Sequence, residues 1–162
     1  MLEQLDDLQR ALLRDVVIVP CGLSASQPHL IDLEFARLQG GSLYYATGDA
    51  SYGSLIVRDS ELSGLTDYMY IWYPTSTSVI ERSILDGVQL SIGTDGGGAV
   101  EIRNNLFKGS QAYVEVWAAY SKPVLVEKNT FPASGGPYLR LKAGYSSTAM
   151  NATLNYWSGA TD

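Results

Sequence analysis

Hydrophobic positions along this chain recur on two scales. Over short stretches they alternate with their neighbours at the two-residue period of a strand, as in Tyr68-Met69-Tyr70-Ile71-Trp72, Tyr113-Val114-Glu115-Val116-Trp117 and Tyr138-Leu139-Arg140-Leu141-Lys142. Over longer stretches the runs themselves repeat. Six segments align on a small or amide residue: Ala36, Ser60, Ser83, Asn105, Asn129 and Asn155. Three positions before each anchor stands an apolar residue (Leu33, Val57, Ile80, Ile102, Val126, Ala152), and two positions after it a larger one (Leu38, Leu62, Leu85, Phe107, Phe131, Trp157). By difference of these positions the anchors are 24, 23, 22, 24 and 26 residues apart.

A repeat of that length holds three short strands with their turns, the unit of a solenoid. The pattern therefore predicts an all-β fold, a parallel β-helix of about six coils spanning residues 16–159 within one domain, 1–162. Coils stacked about 4.8 Å apart put equivalent residues over one another, so the two apolar columns line the interior. Asn105, Asn129 and Asn155 are expected to form an amide ladder at a bend. Leu2, Leu5, Leu8 and Leu12 recur at helical spacing, which predicts an amphipathic helix over residues 1–14 capping the open end of the core. At the other end Tyr156 and Trp157 are expected to plug the last coil.

The phrases Ile102-Arg103-Asn104-Asn105-Leu106-Phe107, Val126-Glu127-Lys128-Asn129-Thr130-Phe131 and Asn155-Tyr156-Trp157-Ser158-Gly159 resemble the repeats of right-handed β-helix proteins of the pectate-lyase-like superfamily. The resemblance runs from about Val16 to Gly159. It implies a right-handed coil opened by a helix and a Pro/Gly turn, here Val16 to Gly22. It implies no single chemistry, because that superfamily holds polysaccharide lyases and hydrolases beside tailspikes and noncatalytic surface proteins. A left-handed β-helix is the competing fold, and the hexapeptide repeats that favour it are absent here.

Two sets of outward positions matter for function. Glu34, Arg58, Glu81, Arg103 and Glu127 precede the anchors by two and alternate in sign, which suits a neutralised surface ladder better than a catalytic row. The second set is aromatic. Alternation points Tyr44, Tyr68, Tyr70, Trp72, Tyr113, Trp117 and Tyr138 outward, with Glu115 and Arg140 as polar companions, while the intervening coil offers only Gln89 and Ser91. The expected result is a shallow gap between aromatic coils. Flat rings with polar edges suit sugars, and in the resembling enzymes the glycan lies on this lateral face. Ligand-binding residues are accordingly expected at Tyr68, Tyr70, Trp72, Tyr113, Glu115, Trp117, Tyr138 and Arg140. The same patch also suits a homo-oligomer interface, the next reading in order, or packing under long turns. Ile56, Val79 and Leu125, also read as outward, favour some covering partner or loop.

Composition narrows the remaining classes. A net charge of −6, with eleven dispersed basic residues, argues against nucleic acid as a partner. The opening Met1-Leu2-Glu3-Gln4-Leu5-Asp6-Asp7 lacks a basic start and a long apolar run, so neither a signal peptide nor a membrane span is expected and the cytoplasm is the default compartment. The single cysteine, Cys21, reads as a small buried hydrophobe, and no Cys/His cluster suggests a metal or other cofactor. A lyase or glycoside hydrolase needs clustered or paired carboxylates. Asp67, Asp86 and Asp95 fall in separate turns and the lone His29 in an N-terminal loop, so catalysis is the minor reading. Thr94-Asp95-Gly96-Gly97-Gly98 reads as a turn rather than a phosphate or calcium loop.

Overall fold

The computed structural model describes residues 10–14, 17–18, 22–25, 30–46, 53–72, 74–94, 97–118, 124–143 and 150–158. The regular structure among them is β throughout, in three parallel sheets of seven, seven and six strands. Each turn of the winding gives one strand to each sheet. Ser78–Glu81, Ile84–Asp86 and Gln89–Gly93 form one such turn, and Val100–Arg103, Leu106–Lys108 and Tyr113–Ala118 form the next. Strands pair only with their equivalents one turn away, which makes the fold a parallel β-solenoid.

Vertical registry builds the core. In the second sheet Leu38 faces Leu62, Leu62 faces Leu85 and Leu85 faces Phe107, while Phe131 faces Trp157. The Phe131 ring stacks on Phe107 at 4.6 Å and on Trp157 at 4.8 Å, carrying the column to the C-terminal turn. In the first sheet Leu33, Val57, Ile80, Ile102 and Val126 form an unbroken second column. All five are fully buried, and side chains of this size each contribute about 1.5–3 kcal/mol on leaving water.

The anchor residues close the corner between these two sheets. Each side-chain oxygen accepts the backbone N–H of the anchor one turn earlier: Ser60 from Ala36, Ser83 from Ser60, Asn105 from Ser83, Asn129 from Asn105 and Asn155 from Asn129, at 3.0 to 3.1 Å. The three asparagines add Nδ2 donations to the carbonyls of Ile80, Ile102 and Val126. The amide ladder thus forms as expected, with serines continuing it where asparagine stops. The residue before each anchor sits in the left-handed backbone region: Phe35, Asp59, Arg82, Asn104, Lys128 and Leu154 have φ between 50° and 56°. That conformation turns the chain sharply from one sheet to the next and costs a residue with a Cβ about 1–2 kcal/mol.

Three expectations need correction. The winding amounts to about four turns, not six. Anchors count corners, and the last of them does not head a full turn: the Asn155 turn has only the two-residue strands Met150–Asn151 and Tyr156–Trp157 among the described residues. Among the described residues the capping helix is also not found. Arg10–Arg14 is a strand paired with Leu30–Glu34, where parallel ladder bonds override the helical spacing of the leucines, and residues 1–9 lie outside the described residues. Finally, Ala152 is exposed, and Tyr156 and Trp157 are only partial plugs, 61% and 37% exposed.

Candidate functional site

The third sheet carries the aromatic positions, and its pairing fixes them in rows. Tyr70 faces Ser91, Ser91 faces Glu115 and Glu115 faces Arg140; to one side Gln89 faces Tyr113, and to the other Trp72 faces Gly93. The inward alternates Met69, Ile71, Leu90, Ile92, Val114 and Val116 are fully buried, so the strands present their remaining side chains outward as alternation requires.

One irregularity shapes the face. The register slips between Ile92 and Gly93, so that Gly93 pairs with Ala118 and Trp117 becomes the extra residue of a bulge. Its indole lies across Gly93: a Cβ there would stand 2.7 Å from a ring carbon of Trp117. Reaching over that coil, Trp117 stacks nearly parallel to Tyr70 (centroids 6.1 Å, 8°) and meets Trp72 edge-on at 5.6 Å. The expected gap is therefore partly bridged. Half-buried Ser91 forms the floor of a saddle, with Tyr70, Trp72 and Trp117 on one flank and Tyr68, Tyr113 and Gln89 on the other.

On that second flank Tyr68 is 48% exposed and lies 6.5 Å from Tyr113. Tyr113 itself is only 7% exposed. The Arg140 guanidinium covers its ring at 3.8 Å, and its hydroxyl donates to Gln89 Oε1 at 3.1 Å. Burial, with Tyr68 and the Glu115 carboxylate nearby, pushes the Tyr113 phenol up to about 12, so it stays a neutral donor at physiological pH. Arg140 also donates Nε to the Pro137 carbonyl at 2.9 Å, and its guanidinium lies on the Tyr113 ring rather than against neighbouring Glu115. Among the described residues the half-buried Glu115 carboxylate has no hydrogen-bond or ion-pair partner.

Tyr138 does not belong to the face. It is 5% exposed, packs against Phe131 at 5.8 Å and Trp157 at 6.0 Å, and donates its hydroxyl to the Ser134 carbonyl. The turn over residues 132–137 breaks the alternation just before it and swings the ring inward. With Pro132, Pro137 and Trp157 it lines a cleft of about 460 Å3 at the C-terminal end, which alternation alone had no means of indicating. Of the other outward apolar positions, Ile56 and Leu125 are half-buried and Val79 is buried.

The charged row is realised at its centre. Glu81 accepts from Arg58 Nε at 2.9 Å and Arg103 Nε at 3.0 Å, and pairs with Arg82 at 2.9 Å. Burial works to raise its carboxyl, but the hydrogen bonds from Arg58 and Arg82 prevail and hold it below the ordinary 4.5. Arg82 also grips Asp59 through two hydrogen bonds, at 2.8 and 2.7 Å, which lower that carboxyl as well. With every charge matched, this cluster ties adjacent turns together and offers no open catalytic group. Among the described residues no set of three or more metal-ligating side chains converges, and no helix is long and apolar enough to cross a membrane. Cys21 and His29 lie outside the described residues.

Fold and face together define a parallel β-solenoid with a lateral aromatic surface. No protein-family model matches the chain, and comparison with curated proteins and with solved structures finds no match.

Proposed function

We propose that this protein binds carbohydrate on the outward aromatic face of its third sheet. The observation that carries the reading is the saddle at Ser91: a small polar floor between two ring clusters, with the Glu115 carboxylate, which has no ion-pair partner among the described residues, at its edge. A sugar ring offers C–H patches for Tyr70, Trp117 and Tyr68 to cover, and hydroxyls that Glu115, Gln89 and Ser91 can bond. Stacking of the rings on one another fixes them before any ligand arrives, which reduces the ordering cost of binding. The winding is proposed to be right-handed, as the pectate-lyase-like resemblance implies and as parallel crossovers overwhelmingly favour.

Calorimetric titration of neutral, amino and acidic oligosaccharides tests the proposal, with solution mass measured in parallel. Trp72→Ala and Trp117→Ala should each weaken binding on the order of tenfold while leaving the mass unchanged. Wild-type self-association that these substitutions reverse, without sugar binding, would instead make the face an interface between copies. Release of unsaturated or reducing ends, with or without calcium, would turn the reading toward a minimal polysaccharide lyase or glycoside hydrolase.

A further inference from the structure

If the aromatic face binds carbohydrate, its side chains also determine which charge the ligand can carry. Across the three adjacent strands that frame Ser91, the outward positions are tyrosine, tryptophan, glutamine, serine and glycine, with Glu115 the only charged side chain among them. Aromatic faces carry the negative lobe of the ring quadrupole and draw cations. One contact within the protein already displays this: the Arg140 guanidinium lies 3.8 Å over the Tyr113 ring rather than against the Glu115 carboxylate one strand away. Arg140 is thereby committed to Tyr113 and the Pro137 carbonyl, and Lys142 beyond it has a partner of its own. The saddle is left with ring faces, a carboxylate that forms no ion pair among the described residues, and a protein whose net charge is −6.

We infer that this face, in its carbohydrate-binding role, selects glycans bearing protonated amines, with Glu115 accepting from the ammonium and the surrounding rings covering the sugar, and that it disfavours uronates. An ammonium on Glu115 replaces a neutral hydrogen bond by a charge-assisted one, a gain on the order of tenfold in affinity. A uronate carboxylate would meet the like charge of Glu115, while the nearest described cation, Arg140, is already engaged by the Tyr113 ring and the Pro137 carbonyl.

Oligomers of one length supply the test: a glucosamine oligomer, its fully N-acetylated counterpart and a galacturonate oligomer, titrated at low ionic strength and at a pH where the amines are protonated. Wild type should bind the amine form roughly tenfold tighter than the acetylated form, with the uronate weakest. Glu115→Gln should close most of the gap between the amine and acetylated forms, whatever it does to the affinity they share. Raised salt should narrow the gap in the unaltered protein, a check that does not depend on how the variant folds. Equal binding of amine and acetylated forms, tighter binding of the uronate, or a gap that survives both Glu115→Gln and high salt overturns the charge selection and leaves the carbohydrate reading standing. Absence of binding by all three and by a neutral oligomer overturns both.

Discussion

The corner joining the first two sheets and the outward face of the third are wound from the same chain at the same pitch, and they dispose of their polar groups in opposite ways. At the corner, Ser60, Ser83, Asn105 and Asn129 are buried and each side chain answers a backbone group of the neighbouring turn. On the face, Ser91, Glu115 and Gln89 stay half-buried and Glu115 answers nothing among the described residues. Stability is concentrated where polar atoms have no route to water and must be satisfied internally. In the proposed function, recognition falls to the side where polar groups are still half-exposed. Substitutions at the corner should therefore be read in unfolding, and substitutions on the face in binding.

Asn129→Ala should produce the largest effect. Asn129 Oδ1 accepts from both the backbone N–H and the Nδ2 of Asn105, and its own Nδ2 serves the Ile102 carbonyl. Truncation leaves those groups buried without partners, at a cost of about 2–4 kcal/mol. Urea unfolding followed by circular dichroism checks this. A loss below about 1 kcal/mol would mean that water enters the corner and that the contrast with the face is overdrawn.

Glu81→Gln ranks next and adds a pH signature. Its three arginines are partly exposed, so solvent screening limits the loss at neutral pH to about 1 kcal/mol. Because folding lowers the Glu81 carboxyl below 4.5, its contribution is present above that pH and disappears as pH falls through the folded value. The difference in unfolding free energy between wild type and Glu81→Gln should thus shrink toward zero in acid. A difference that persists unchanged below pH 4.5 would remove the ion-pair explanation.

A smaller effect of opposite sign is expected at Phe35, which holds φ 52° with 57% of its surface exposed. Phe35→Asn places a residue that tolerates this region where little burial is lost, and should stabilise by about 0.5 kcal/mol. Thermal unfolding should rise by about 1–2 °C.

How much of this was legible in the sequence depends on which physical constraint each residue answers. The core columns were readable because stacking repeats one chemical demand at one position: Leu62, Leu85, Phe107 and Phe131 all fill the same layer. The asparagine ladder was readable for the same reason. The left-handed corner was not, because the demand there falls on the backbone, and only Asp59 and Asn104 among its six residues are types that favour it. Helical spacing of leucines misled at Arg10–Arg14, where the ladder offered by Leu30–Glu34 outweighs local preference. On the face, alternation placed Tyr68, Tyr70 and Trp72 correctly but could foresee neither the bulge that sends Trp117 over Gly93 nor the turn that draws Tyr138 into the core. Both are local breaks in period, where a counting argument loses its frame.

Gly93 gives the sharpest division between the two regions, because its substitution should hardly register in stability. It lies in a strand, and the atoms nearest an added Cβ belong to the Trp117 indole, the far end of a side chain that can swing away. Gly93→Ala should change unfolding free energy by less than about 1 kcal/mol, since lost ring packing is offset by the reduced freedom of the unfolded chain. Displacing the indole by the shortfall at 2.7 Å must nonetheless disturb its stack with Tyr70 and its edge contact with Trp72. The outcome to look for is a shift in tryptophan emission and near-ultraviolet circular dichroism with an unfolding midpoint close to wild type, and with weakened binding of any oligosaccharide the wild type takes. If emission and binding stay unchanged, the ring over Gly93 does not organise the saddle. If the midpoint collapses, the face is as tightly integrated as the corner, and the division of labour between them fails.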